Sequence, residues 1–77
     1  MTIKIYTTPT CVYCKMAKEF FKTNNVSYEE HNVAEDAKAR EEMIQKSHQL
    51  GVPVIDVDGE IVVGFDRGAL AKLLKIQ

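Results

Sequence analysis

The feature that most restricts the fold is a strand period that gives way to a helix period and then returns. Ile3-Lys4-Ile5-Tyr6 alternates, is β-branched or aromatic at most positions, and runs into the breaker Thr7-Thr8-Pro9-Thr10. From there Val12, Met16, Ala17, Phe20 and Phe21 recur at helical spacing, with Lys15, Lys18, Glu19 and Lys22 on the other face, until Asn24-Asn25. Val26, Tyr28 and the segment to His31 read as a second short strand. Two strands joined by a helix of about a dozen residues lie parallel, because the crossover returns the chain to the same end of the sheet.

The second half completes the pattern. Asn32 followed by Glu35 resembles a capping box, which predicts a second helix from near Ala34. That helix carries Ala37, Met43 and Ile44 inward, and Gly51 suits the left-handed residue that closes many helices. Val54-Ile55-Asp56-Val57 and Glu60-Ile61-Val62-Val63 flank Asp58-Gly59, a two-residue turn with the positive backbone angles of a tight hairpin. Asp66 caps a last helix with Ala69, Leu70, Leu73 and Leu74 on one face. The order β-α-β-α-β-β-α implies an α/β fold: a four-stranded mixed sheet with three helices packed on both faces, the smallest form of the thioredoxin fold. Residues 1–77 are expected to form one domain, without repeats or linkers.

A chain of this size buries only roughly 60% of its unfolded surface, which favours an economical layered fold with short loops. Its net charge of −1 gives no electrostatic case for nucleic acid or an anionic membrane as partner. No apolar run approaches the roughly 20 residues of a membrane span, and the N-terminus alternates rather than forming a signal peptide's apolar block. A cytoplasmic location is therefore expected. With the helices packed, no long apolar stripe should stay exposed, so a monomer is expected.

The chemistry centres on the two cysteines of the chain, Cys11 and Cys14. A bond between residues so close closes a tiny ring and restrains little of the unfolded chain, so a stabilising staple is a poor explanation. Without an export signal, the pair reads as redox-active or metal-binding. Between the first strand and the first helix, Cys11 faces unpaired backbone N–H groups and the positive end of the helix dipole. Both favour thiolate, and in such motifs the first cysteine's pKa falls from about 8.5 to roughly 3.5–7.5. Cys14, one turn deeper, is placed to resolve a mixed disulfide formed at Cys11. Lys15 is a candidate source of added positive charge. At Gly51-Val52-Pro53-Val54 a proline opens a strand, one of the few places a sheet tolerates it. A cis Val52-Pro53 bond would turn the Val52 backbone toward the thiols, where its N–H and C=O can pair with an extended peptide or glutathione.

Three separated segments then carry a family resemblance: Tyr6-Thr7-Thr8-Pro9-Thr10-Cys11-Val12-Tyr13-Cys14, Gly51-Val52-Pro53 and Val63-Gly64-Phe65-Asp66. Together they resemble a bacterial dithiol glutaredoxin or glutaredoxin-like redoxin over nearly the whole chain. The resemblance implies a glutathione-dependent thiol–disulfide oxidoreductase, with glutathione as reductant, disulfide-containing proteins as substrates and no metal. It implies that Cys11 forms the mixed disulfide and that Tyr13 lines the site. Val52 before cis-Pro53 would pair with the tripeptide backbone, and Gly64, Phe65 and Asp66 would complete the groove. The free N–H groups of the last helix would seat a glutathione carboxylate. Asp66 itself would cap that helix and accept from the ligand's ammonium group. Val12 stands where many glutaredoxins have proline, Thr8 where many have a cation, and Arg67 where some have a small polar or acidic residue.

The alternative is a redoxin of the same fold, reduced by a thioredoxin-reductase-like flavoprotein and donating electrons to ribonucleotide reductase or a peroxidase. A metal module is a third class, since His31 and His48 join the cysteines as possible soft ligands. Zinc modules of that type space their histidines about three to five residues apart, far closer than these two. An iron–sulfur cluster bridging two chains and a non-catalytic interaction module complete the options.

Overall fold

The computed structural model describes residues 2–75. It contains β1 (Ile3–Thr7), α1 (Val12–Thr23), β2 (Glu29–Asn32), α2 (Ala37–Ser47), β3 (Val54–Val57), β4 (Glu60–Val63) and α3 (Arg67–Leu74), the expected order. The sheet runs β2-β1-β3-β4, with β1 parallel to β2 and antiparallel to β3, and β4 antiparallel to β3.

Alternation along β1 divides the core between the two faces of the sheet. Ile3 and Ile5 join Ala17, Phe20 and Phe21 of α1 and Leu70 of α3 in the larger cluster. Tyr6 and Val54 face Met43 and Ala39 of α2 in the smaller one, with Ile44 packed against it. The hairpin has the expected geometry, with φ of 54° at Asp58 and 98° at Gly59. The Asp66 carboxylate accepts from the Ala69 N–H at 3.1 Å and so caps α3.

Four expectations are corrected. The second strand starts at Glu29, and Val26 and Tyr28 instead pack against the larger cluster as the chain leaves α1. Asn32 accepts from Ala34 N–H in a turn, and the cap of α2 is Asp36, which accepts from the Lys38 and Ala39 N–H groups. With the helix starting later, Ala37 is exposed and Ala39 takes the inward position. The left-handed residue closing α2 is His48, φ 60°, whose N–H donates to the Ile44 carbonyl at 2.7 Å, because the helix ends at Ser47, four residues before Gly51.

A polar network joins α2 to the sheet. The Lys46 ammonium donates to Asp56 at 2.8 Å and to the Tyr6 hydroxyl oxygen at 3.2 Å, and lies 3.1 Å from Glu42. The Tyr6 hydroxyl donates to Glu42 at 2.6 Å. Tyr6 precedes the cysteine loop and pairs with Val54, the residue after Pro53, so the network braces strands on both sides of the candidate site.

Candidate active site

Register places the separated motifs at one end of the sheet. Tyr6 pairs with Val54 and Val54 with Val63, so the loops after β1 and β4 and before β3 emerge together. The Gly64 N–H donates to the Pro53 carbonyl at 2.8 Å, joining two of these loops directly. Gly64 has φ 79°, a backbone conformation that disfavours any residue with a Cβ. The Val52-Pro53 peptide bond is cis, as expected.

Cys11 and Cys14 are joined as a disulfide, with Cα atoms 5.2 Å apart. Cys11 is the N-cap of α1, in extended conformation, and its Sγ accepts the Cys14 N–H at 3.1 Å. Its sulfur thus occupies the place of a capping oxygen, where donors and dipole stabilise negative charge. The first turn of α1 holds no acidic residue to oppose that charge. Cys14 is buried and Cys11 half-buried, which makes Cys11 the sulfur accessible to a partner.

Beside the disulfide the surface departs from expectation. Val12 and Met16 have the helical spacing of core residues, yet Val12 is 65%, Tyr13 61% and Met16 44% exposed. An apolar patch therefore remains after the helices have packed. Val12 and Met16, with Phe20 and Phe65, line an open groove of about 680 Å³ between α1 and the start of α3, flanked by Lys15 and Arg67. Arg67 lies over the Phe20 ring at 5.9 Å, and Phe65 meets that ring edge-on. Tyr13 and Val52 do not line this groove. Val52 packs instead against the α2 side of the sheet. Sequence periodicity alone missed the groove, although the apolar arc of α1 is wider than one core face requires.

The histidines do not join the site. His31 stacks on the Tyr6 ring with centroids 5.5 Å apart, and His48 ends α2. Among the described residues no three of His, Cys, Asp or Glu are arranged to hold a metal, and no helix is long and apolar enough to cross a membrane.

Comparison with known proteins agrees with this geometry. The glutaredoxin family model matches residues 3–62. The chain is 52% identical to a glutaredoxin-like 8.6 kDa protein in the rubredoxin operon of Clostridium pasteurianum, covering 95% of this chain and 97% of that one. It is 39% identical to glutaredoxin 3 of Escherichia coli, covering 95% and 96%. Among solved structures it is similar to a mutant of the thioredoxin-like protein BC3987, with TM-score 0.93, 41% identity and coverage of 99% and 97%. It is also similar to the Escherichia coli NrdH-redoxin, a glutaredoxin-like protein described as having a thioredoxin-like activity profile, with TM-score 0.85, 26% identity and 95% of each chain covered. A helix-capping cysteine bonded to its buried partner, on a sheet of this topology and with these relatives, has one reading: the chain belongs to the glutaredoxin family and is a thiol–disulfide oxidoreductase.

Proposed function

We propose that this protein is a dithiol redoxin that passes electrons between proteins, reduced by a thioredoxin-reductase-like flavoprotein and reducing protein disulfides in the cytoplasm. The supporting observation is the apolar groove that begins at Val12, the residue after Cys11, and runs along α1 to Asn24; neither cysteine lines it. Glutathione is a charged tripeptide with no large apolar side chain, whereas Val12, Met16, Phe20 and Phe65 offer an apolar floor that suits a side chain from a protein surface. Thr8, where many glutaredoxins have a cation, leaves one fewer partner for a glutathione carboxylate. The thioredoxin-like profile described for the NrdH-redoxin points the same way.

The Cys11 thiolate attacks one sulfur of the substrate disulfide, forming an intermolecular S–S bond and expelling the other sulfur as a thiolate. The Cys14 thiolate then attacks Cys11 Sγ, forming the internal disulfide and expelling the second substrate thiolate. Two electrons pass to the substrate, whose thiolates take up two protons from solvent. The donor reverses these steps: its thiolate attacks Cys11 Sγ, the more accessible sulfur, expels the Cys14 thiolate, and the donor leaves as its own disulfide.

Glutathione is the second reading, favoured by Val52 before cis-Pro53 and by the capped N-terminus of α3. In it Tyr13, Val52, Pro53, Gly64, Phe65 and Asp66 line the tripeptide site. Turnover of a protein disulfide with NADPH and a thioredoxin-reductase-type flavoprotein, against glutathione with glutathione reductase, separates the two. Turnover with the flavoprotein alone is expected, and turnover with glutathione alone would reverse the assignment of the donor.

A further inference from the structure

The cysteine loop is flanked by two polar residues that meet on one carboxylate. Thr7 lies four residues before Cys11 and Lys18 four residues after Cys14. The Thr7 hydroxyl donates to Glu30 Oε2 at 2.8 Å, and the Lys18 ammonium donates to the same oxygen at 2.9 Å. Thr7 is at the end of β1 and is the buried polar side chain among the described residues. Lys18 is half-buried one turn from Cys14 on the same side of α1. Glu30 reaches both from the edge strand β2. The Lys18 hydrogen bond, against the opposing effect of burial and with help from Thr7, holds the Glu30 carboxyl below its usual range, so the clamp is ionised at neutral pH.

We propose that Glu30 is a positioning residue for the dithiol, a clamp that ties both ends of the Cys11–Cys14 loop and so sets how readily the two sulfurs rejoin. The inference rests on Cys11 and Cys14 being the reacting pair. Reduction cleaves their bond and adds two electrons and two protons, and the loop is then free to relax. A clamp on both flanks limits that relaxation and keeps the sulfurs within reach, favouring the disulfide and making the dithiol a stronger reductant. Val33 N–H to Thr7 carbonyl at 2.9 Å and Cys11 N–H to Thr8 carbonyl at 3.3 Å already fix the backbone between strand and loop. Glu30 adds a polar bridge from that strand end to α1, whose Ala17, Phe20 and Phe21 already pack with Ile3 and Ile5 of β1.

The test is the equilibrium of the whole protein with a glutathione/glutathione disulfide buffer, measured for wild type, Glu30→Ala, Thr7→Val and Lys18→Met. Each variant is expected to lower the equilibrium constant for closing the internal disulfide by roughly two- to fivefold, the range of a partly exposed ion pair, or raise the potential by roughly 9–21 mV. Thr7→Val combined with Lys18→Met should match Glu30→Ala rather than exceed it, because both partners act through one carboxylate. The alkylation rate of Cys11 in the reduced variants should stay at the wild-type value. Unchanged potentials with lowered melting temperatures would make the cluster purely structural and overturn the proposal. A shift confined to Lys18→Met would also overturn it, since that would be a charge acting on the thiols without the clamp. Loss of dithiol chemistry in the wild-type protein would instead remove the reading on which the inference rests.

Discussion

Replacing Lys46 with methionine removes the cation at the centre of the network under α2 while keeping an apolar stem of similar length. In the wild type that ammonium bridges Asp56, Glu42 and the Tyr6 hydroxyl, and the side chains of Lys46 and Asp56 are 29% and 13% exposed. Breaking a fully buried pair costs about 3–5 kcal/mol and an exposed pair about 0–1 kcal/mol. This partly screened site falls between them, at about 1–2 kcal/mol, or roughly 4–16 °C in melting temperature for a chain of this size. The sign with pH follows from the groups involved. Burial alone would raise the Asp56 carboxyl, but Lys46 and the Gly59 N–H outweigh it and hold the value below the ordinary 3.8. The Tyr6 hydroxyl and then Lys46 hold Glu42 below its ordinary 4.5. Asp56, against the effect of burial, and Tyr6 and Glu42 raise Lys46 above its ordinary 10.5.

Depressed carboxylates stabilise the fold above their unfolded values, and that stabilisation disappears as pH falls through their folded ones. The raised ammonium contributes fully below 10.5, and its contribution declines as pH climbs above that value toward the folded one. Urea unfolding of wild type and Lys46→Met should therefore show the widest gap between about pH 5 and 10, narrowing toward about pH 3. A gap at neutral pH below about 0.3 kcal/mol, or one of equal size at about pH 3, would refute the reasoning.

Cys11→Ser should abolish reduction of protein disulfides, whereas Cys14→Ser should still attack a substrate disulfide but fail to resolve it, accumulating mixed disulfides with substrate proteins visible by mass spectrometry. Asp66→Ala removes the cap of α3 and should lower stability by about 1 kcal/mol in urea unfolding. Leu70→Ala, at a fully buried position of the same helix, should lower it by about 2–5 kcal/mol. Val12→Glu with Met16→Glu should leave stability within about 0.5 kcal/mol but weaken coupling to a flavoprotein reductase, read as a higher KM in the NADPH assay.

Elements with a complete local signal were legible in the sequence. The Asp58-Gly59 hairpin, the Asp66 cap and the placement of Cys11 at a helix start rest on neighbouring residues, and each appears as expected. The start of α2 is ambiguous in the sequence because two acceptors compete: Asn32 satisfies a turn, and Asp36, four residues on, supplies the cap. Gly51 is the glycine nearest the end of the second helix, but His48 takes the left-handed position, because the conformational freedom of a glycine does not by itself mark where a helix ends. The exposure of Val12 and Met16 and the meeting of Thr7, Glu30 and Lys18 depend on which elements pack together, information that no window of neighbouring residues contains.

The most direct measurement is the pH dependence of Cys11 alkylation in reduced protein carrying Cys14→Ser. A sulfur that caps α1 should titrate with a midpoint in the range of roughly 3.5–7.5. A midpoint near the free-cysteine value of about 8.5, with sluggish reaction at neutral pH, would contradict an activated nucleophile at this helix start.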